Sequence, residues 1–290
     1  MRISIIIATK DRARYLERAL ASLDQQIEAP SFEVIVVDNG STDDTEAVVR
    51  QASARGRFPL RYVFEREPNR GKARNQGVAV ASGFLLLFCD DDVQLPPGFL
   101  AAHEASHHTS NLVVNGPILN VASYEHRPKP TIGNASRAFL CTCNVSLPKH
   151  AFDAVGGFDE AFHLYGWEDT ELGVRLRQAG MRWKFAWDAY LWHIKPPTEN
   201  TLEVETRKVV ERARMARRFL AKHPSARARL ATGAYRINLL RGRYLTPDSL
   251  LSLYAGLATS EHAPDFLRVL ARAQFLDGMY TRELVRALDE

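Results

Sequence analysis

The chain has 290 residues, of which 46% are hydrophobic and 25% charged, a composition that suits a globular protein with a large core and no need of disulfides. Its cysteines, Cys89, Cys141 and Cys143, are odd in number and lack framework spacing, so they read as buried thiols of a reducing, cytoplasmic compartment, and the Cys141–Cys143 gap is wrong for a zinc knuckle. The net charge is +4, with the excess mostly beyond residue 200; no run approaches the roughly 20 apolar residues of a membrane span, and the apolar stretch at 3–8 is too short for a signal-peptide core.

Residues 3–8 form a β-branched apolar run that predicts a buried parallel strand. After the polar turn Thr9-Lys10-Asp11-Arg12, the positions Tyr15, Leu16, Ala19, Leu20 and Leu23 keep helical spacing. A second strand at 32–37 runs into Asp38-Asn39-Gly40-Ser41-Thr42-Asp43-Asp44, which combines loop, turn and helix N-cap residues. A helix through Val48 and Val49, a strand at 60–64, a helix at 71–82 and a strand at 84–88 follow, and the last ends in Asp90-Asp91-Asp92. Pro96-Pro97-Gly98 opens a short helix. Residues 120–137, with Pro128, Pro130 and Gly133 among charges, read as a mobile loop, of which 126–137 is able to close as a lid. Residues 138–147 are strand-like, 156–159 a turn, 168–179 a helix closed by Gly180, and 183–192 a strand that ends in His193. Pro196-Pro197 marks a boundary. The expected fold is α/β: a mostly parallel sheet flanked by helices over 1–197, with a mainly helical region over 198–290.

Parallel sheets bind ligands beyond the carboxyl ends of their strands, and Thr9 to Arg12, Asp38 to Ser41 and Asp90 to Asp92 all fall there. Carboxylates at i and i+2 of the acidic triple can reach one hard cation, Mg2+ or Mn2+, shared with phosphate oxygens; the alternative is a polar loop that caps the next helix. Asp38 can accept the imide N–H of uracil or a ribose hydroxyl, or simply close an Asx turn. In Asn69-Arg-Gly-Lys-Ala-Arg-Asn75, Gly71 permits close approach, and Arg70, Lys72 and Arg74 offer cations to a diphosphate; a solvated helix start is the plainer reading. Glu168 and Asp169 sit where acids favour a helix N-terminus by about 0.3–1 kcal/mol each, or where a general base meets an acceptor hydroxyl. His193 is a candidate third metal ligand or a structural histidine.

The strings SIIIATKDR, VIVVDNGSTDDT, NRGKARNQG, FLLLFCDDDV, CNVSLPKHAFDAVGGFDE and YGWEDTELGVRLRQAG occur in this order. Together they resemble the family 2 glycosyltransferases and their GT-A fold, over about residues 2–195. The last two also resemble the carboxyl-terminal segment of galactosyltransferase-like enzymes. The resemblance implies an inverting transfer of sugar from a nucleotide diphosphate sugar, UDP by family habit, to a glycan or lipid-linked hydroxyl, as in polysaccharide biosynthesis, with Mn2+ or Mg2+ as cofactor. It places Ala8, Thr9, Asp11, Arg12, Asp38, Asn39, Gly71, Lys72, Asn75, Asp90 and Asp91 on the nucleotide sugar. It makes Asp92 the direct metal ligand, with Asp90 nearer the ribose and His193 as a further ligand, and Asp169 the base beside Glu168. Trp167, Tyr165 and His163 flank that base and are candidates to stack on an acceptor sugar. Ala8-Thr9-Lys10 departs from the family pattern, in which proline often leads. Two other readings of the same residues are a nucleotidyltransferase, which gives Glu168-Asp169 no role, and a non-catalytic sugar-binding scaffold.

Between 203 and 243, arginines and lysines face only Glu203, Glu205 and Glu211, and Val209, Val210, Ala213, Ala216, Phe219 and Leu220 keep helical spacing among them. The pattern predicts a packed helix with a basic face, or peripheral attachment to the inner, anionic face of a membrane at about 1 kcal/mol per basic residue. No nucleic acid partner is expected, because no aromatic residues interleave with the arginines.

Overall fold

The computed structural model describes residues 1–199 and 201–290. Along the chain lie β1 (Ile3–Thr9), α1 (Ala13–Leu23), β2 (Phe32–Asp38), α2 (Thr45–Ala54), β3 (Leu60–Phe64), α3 (Arg70–Ala79), β4 (Leu85–Cys89), β5 (Val93–Gln94), α4 (Phe99–Ser106), β6 (Leu112–Asn115), β7 (Ile118–Val121), β8 (Asn144–Pro148), α5 (Lys149–Ala154), α6 (Glu168–Gln178), β9 (Arg182–Phe185) and β10 (Leu191–Ile194). Then come α7 (Leu202–Lys222), α8 (Ala226–Thr232), α9 (Arg236–Tyr244), α10 (Asp248–Thr259) and α11 (Asp265–Asp289). Two compact units result: residues 1–163 with 168–196, and residues 164–167 with 197–290.

In the first unit the described residues form a seven-stranded sheet in the order β3-β2-β1-β4-β8-β6-β9, with β8 antiparallel to β4 and β6 and the other pairings parallel. Side chains alternate across it with the two-residue period of a strand. Ile5, Ile7, Val34, Val36, Leu85 and Leu87 point to one face and pack with Leu16 and Leu20 of α1, Val49 of α2 and Phe99 of α4. Ile6, Ile35, Val37, Leu86 and Phe88 point to the other and pack with Ala73 of α3, Phe152 of α5 and Leu172 and Leu176 of α6. Each fully buried Leu or Ile contributes about 1.5–3 kcal/mol; β1, β2 and β4 are mainly apolar on both faces, with Ser4 and Glu33 buried and hydrogen-bonded to each other near their amino ends, and polar residues gather at their carboxyl tips.

Two expected strands are corrected. The strand predicted at 138–147 begins only at Asn144. Upstream, Asn115 takes over the backbone, donating to Phe139 O at 3.0 Å and accepting from Cys141 N at 3.2 Å, so those groups are satisfied without a ladder. The strand predicted at 183–192 is two strands in two sheets, because a turn closes at Ala189 N→Ala186 O, 3.2 Å. β10 joins a small sheet in the order β5-β10-β7.

A buried polar chain runs beneath β8. Asn144 Nδ2 donates to Pro117 O at 3.2 Å and Ala189 O at 2.8 Å, which leaves Asn144 Oδ1 to accept from His103 Nε2 at 2.9 Å. His103 Nδ1 then accepts from Ser146 Oγ at 2.8 Å, and Ser146 Oγ in turn accepts from His107 Nε2 at 2.7 Å. The bonding fixes both tautomers and leaves no room for a second proton on His103. Burial pushes His103 down to about 4 and His107 to about 3. Both rings bind protons more readily unfolded, so stability should be full above about pH 6.5 and fall as pH drops toward 4. For His103 the fall from 6.5 to about 4 corresponds to on the order of 3 kcal/mol. Urea unfolding at pH 7 and pH 5 should show the loss, with a shallower dependence in His103→Gln; an unchanged slope in that variant would remove His103 as its source.

In the second unit, Gly278 of α11 meets α10, where a Cβ would come within 2.6 Å of Leu251 Cδ2, and Gly242 of α9 meets Thr281, 2.8 Å from its carbonyl oxygen. Glycine is needed at both for close helix approach. Ion pairs Arg214–Glu283 at 2.6 Å, Arg272–Glu205 at 2.7 Å and Arg241–Asp277 at 2.6 Å tie its helices. No helix of the described residues is long and apolar enough to cross a membrane.

Candidate active site

The parallel registers Thr9↔Asp38 and Ile7↔Cys89 bring the tips of β1, β2 and β4 side by side. Thr9 Oγ1 donates to Asp91 Oδ2 at 2.6 Å, and Arg12 Nη1 donates to Asp91 Oδ1 at 3.1 Å and to Asp92 Oδ2 at 2.9 Å. Burial pushes the Asp91 carboxyl up to about 7, against the Arg12 guanidinium. Burial also acts on Asp92, yet the neighbouring His193 and Arg12 hold its carboxyl below the usual range.

β-pairing delivers His193. Val93 pairs with His193 across β5 and β10, and Ile194 N donates to Asp92 O at 2.8 Å. His193 Nε2 lies 3.0 Å from Asp92 Oδ1, outside hydrogen-bond alignment, so that buried oxygen has no hydrogen-bond partner. An unmatched buried carboxylate oxygen is costly, and it faces an imidazole.

The loops that follow β1 and β2 are stitched together. Asp11, at φ 51°, accepts at Oδ1 from Thr42 N at 2.7 Å, and its own N–H donates to Ser41 Oγ at 2.9 Å. Asp43 Oδ2 accepts from Ala13 N at 2.9 Å and so caps α1 from outside the helix. Asp38 is buried; its Oδ1 accepts from Ser41 N and its Oδ2 from Tyr62 Oη, both at 2.7 Å. That is an Asx turn and a tyrosine latch at once, with further lone pairs left on each oxygen. Ala8 is half-buried on β1, beside Val37.

Residues 69–75 are engaged mainly with neighbouring loops. Asn39 Oδ1 accepts from Asn69 N at 2.9 Å, and Asn69 caps α3 through Lys72 N at 3.1 Å. Lys72 Nζ pairs with Glu65 at 3.2 Å and Glu67 at 3.0 Å. Asn75 exchanges bonds with Phe158 N and O, both at 2.9 Å. A Cβ on Gly71 would stand 3.3 Å from Phe158 Cβ. Of the residues expected on the nucleotide, Lys72 pairs here with the segment after β3, and Asn75 and Gly71 meet the 157–160 loop.

Arg74 is the cation that reaches inward. It is buried, its Nη2 lies 3.6 Å from Asp90 Oδ1, and its Nη1 has no hydrogen-bond partner. Burial works against its charge, but Asp169, then Asp90 and Glu168, hold its pKa above the usual value. Asp169 Oδ2 accepts from Thr142 N at 2.8 Å and Thr142 Oγ1 at 3.0 Å, while Asp169 Oδ1 is buried and unpartnered. Burial first, then the charge of Glu168, raises the Asp169 carboxyl to about 6. α6 is fixed beneath it, because Arg175 binds Glu171 at 2.9 Å and the carbonyls of Val155 at 2.5 Å and Gly157 at 2.7 Å. Thr142, Tyr62 and Cys143 carried no signal of their own in the sequence. Thr142 lies in the stretch read as strand, and Tyr62 is one of several apolar positions of β3.

A family model described as glycosyl transferase family 2 matches residues 4–154, more than half of the chain. The chain belongs to glycosyl transferase family 2. A second model, described as the N-terminal domain of galactosyltransferase, matches residues 127–217 of this glycosyltransferase. Among curated relatives, validoxylamine A glucosyltransferase of Streptomyces hygroscopicus subsp. limoneus is 32% identical over 77% of this chain and 57% of its own length. Hyaluronan synthase of Pasteurella multocida is 26% identical over 71% of this chain and 26% of its own. The chain thus spans less than two thirds of these relatives. Among solved structures, the mannosyltransferase PcManGT of Pyrobaculum calidifontis, in complex with GDP-Man and Mn2+, superposes with TM-score 0.64 at 18% identity, covering 99% of this chain and 86% of that one. Residues 1–349 of S. aureus TarS in complex with UDP-GlcNAc give TM-score 0.58 at 21% identity, covering 99% and 92%. The fold is GT-A.

Among the described residues, one ligand atom each from Asp90, Cys143 and His193 lie within 4.8 Å of one another, and Asp92 Oδ1, 3.0 Å from His193 Nε2, has no hydrogen-bond partner; carboxylate oxygens and an imidazole are donors that suit a divalent cation. The acceptor candidates have the following surroundings. His163 is exposed, with Nδ1 3.1 Å from Ala161 O. Trp167 and Tyr165 belong to the second unit. There the Trp167 ring stacks on Phe219 at 5.0 Å, and its Nε1 donates to Arg212 O at 2.8 Å. The Tyr165 N–H donates to Glu211 Oε2 at 3.1 Å. Trp167 also has φ 74°, in the left-handed region that side-chain-bearing residues rarely adopt.

Proposed function

We propose that this chain is an inverting, divalent-cation-dependent glycosyltransferase that moves sugar from a UDP-sugar to a hydroxyl of a glycan or lipid-linked acceptor in polysaccharide synthesis, residues 1–197 forming the catalytic domain. The observation that carries the reading is Arg74, which is buried with Nη2 3.6 Å from Asp90 of the acidic triple and whose charge is stabilised by Asp169 of α6. One cation is thus coupled electrostatically to a donor-side acid and to the candidate base. Asp38, Asn39 and the loop through Thr9, Asp11 and Arg12 form the base and ribose end; Asp91, held by Thr9 and Arg12, braces the triple. Asp90, Asp92 and His193 would hold Mn2+ or Mg2+, which when bound supplies charge stabilisation to the departing diphosphate. Asp169 Oδ1 takes the proton of the attacking hydroxyl, worth about 10²–10⁴ in rate, and Thr142 fixes the carboxylate in place. The sugar-transferring names of the curated relatives support this reading. Incubation with Mn2+ and a panel of UDP- and GDP-sugars should release UDP and give a product of inverted anomeric configuration by NMR. Release from no donor, or retained configuration, would sink it.

The second unit supports attachment to the inner face of an anionic membrane. Leu230, Ile237, Leu240 and Tyr244 are exposed and alternate along α8 and α9 with Arg227, Arg229, Arg236 and Arg243. Acids already pair with Arg214, Arg241 and Arg243, so insertion of the apolar side chains, more than charge alone, would supply affinity. Sedimentation with anionic vesicles at low salt should capture the protein, and Ile237→Glu with Leu240→Glu should release it. Equal recovery with neutral vesicles, or no capture, would count against the membrane.

A further inference from the structure

The strand-end centre contains a group that no hard-cation site needs. Cys143 is buried, and its Sγ lies 3.9 Å from His193 Nδ1, on the opposite side of the imidazole from Asp92. One ligand atom each from Asp90, Cys143 and His193 fall within 4.8 Å of one another. Tetrahedral bonds of about 2.3 Å to sulfur and about 2.0–2.1 Å to nitrogen set S and N about 3.6 Å apart, so the observed pair needs to close by only a few tenths of an ångström. Asp90 is half-buried and leaves the cluster open to solvent on its side. Close by, Asp92 Oδ1 is buried with no hydrogen-bond partner.

We propose that Cys143 is a metal donor at this centre, so that Asp90, Cys143 and His193 Nδ1 bind a thiophilic divalent cation of the Zn2+, Co2+ or Cd2+ class, in a mode distinct from the oxygen-rich mode of Asp92 and His193 Nε2. The inference rests on the reading of this strand end as a metal centre and not on the sugar or acceptor. His193 links the two modes, since its two nitrogens face different donors. Thiolate is the ligand form of cysteine, so the S–H bond is exchanged for an S–metal bond and one proton is released to solvent for each ion bound. Sulfur selects softer ions than carboxylate does. The thiophilic mode should therefore compete with Mn2+ for His193, and Zn2+ should displace Mn2+ from the protein.

The test is a titration of the metal-free full chain with Co2+, without nucleotide, followed by absorption. A thiolate-to-cobalt charge-transfer band in the near ultraviolet is expected. It should be lost in Cys143→Ser and kept in Cys141→Ser. Competition against a chromophoric chelator should show Zn2+ affinity falling by about tenfold or more in Cys143→Ser, with Mn2+ affinity changed far less. Absence of the band from the wild-type protein overturns the proposal without recourse to any variant, and so does its survival in Cys143→Ser. A protein that transfers sugar with Mn2+ yet shows no such band keeps the proposed function and loses this site.

Discussion

Asp92→Ala is expected to lose sugar transfer by at least on the order of 10²–10³-fold, together with Mn2+ binding, while remaining folded. Asp92 combines burial, a carboxyl held in its charged form by His193 and Arg12, and an oxygen with no hydrogen-bond partner. Each of these favours a cation in contact with it. The fold should tolerate the change, because Arg12 keeps Asp91 at 3.1 Å, and Thr9 holds the same carboxylate at 2.6 Å. Removal of one of three adjacent negative charges also relieves repulsion on Asp91, whose burial already pushes it up to about 7. Circular dichroism and calorimetric Mn2+ titration check the two halves of the expectation. Full activity of Asp92→Ala, or of the wild-type protein in EDTA, would remove the metal from the mechanism.

The Asp90–Asp92 turn was legible in the sequence because β1, β2 and β4 are mainly apolar on both faces. A strand of that kind that runs straight into three acids must set them at the sheet edge, where their mutual repulsion calls for a cation or nearby donors. The way His193 arrives was concealed. β5 has two residues, Val93 and Gln94, too few for any periodicity, yet its pairing with β10 sets the imidazole 3.0 Å from Asp92. Residues 138–143 show the same limit from another side. Their strand-like composition lost to the side chains of Asn115 and Asp169, which claim the backbone N–H and C=O groups of Phe139, Cys141 and Thr142. Lys72, expected to offer its charge to a diphosphate, pairs here with Glu65 and Glu67. No local pattern announces such partners, since Glu65 belongs to the loop after β3. Arg74, from the same basic string, faces inward because residues 71, 74 and 78 share one buried stripe of α3. Spacing alone did not separate it from Arg70 and Lys72.

Asp169→Asn is expected to leave nucleotide-sugar affinity near normal and to lower turnover about a hundredfold or more. The amide keeps the size of the carboxylate and its bonds from Thr142, so the first turn of α6 should persist. What it lacks is the capacity to take a proton at the unpartnered oxygen. The competing view of Asp169 as a helix cap predicts lower stability and unchanged turnover, since acids at a helix start contribute only about 0.3–1 kcal/mol. pH separates the two views further. Burial and then Glu168 raise the Asp169 carboxyl to about 6, with Arg74 and Thr142 opposing, and only the ionised form can act as base. Turnover should therefore rise with pH through about 6 and level off above it. Arg74→Lys should move that limb upward, because a lysine loses the delocalised charge now placed against Asp169 and Asp90 and so relieves less of the carboxylate's burial. A profile flat from pH 5 to 8, or a limb that Arg74→Lys leaves in place, would mean that the proton goes elsewhere and that Asp169 only caps α6.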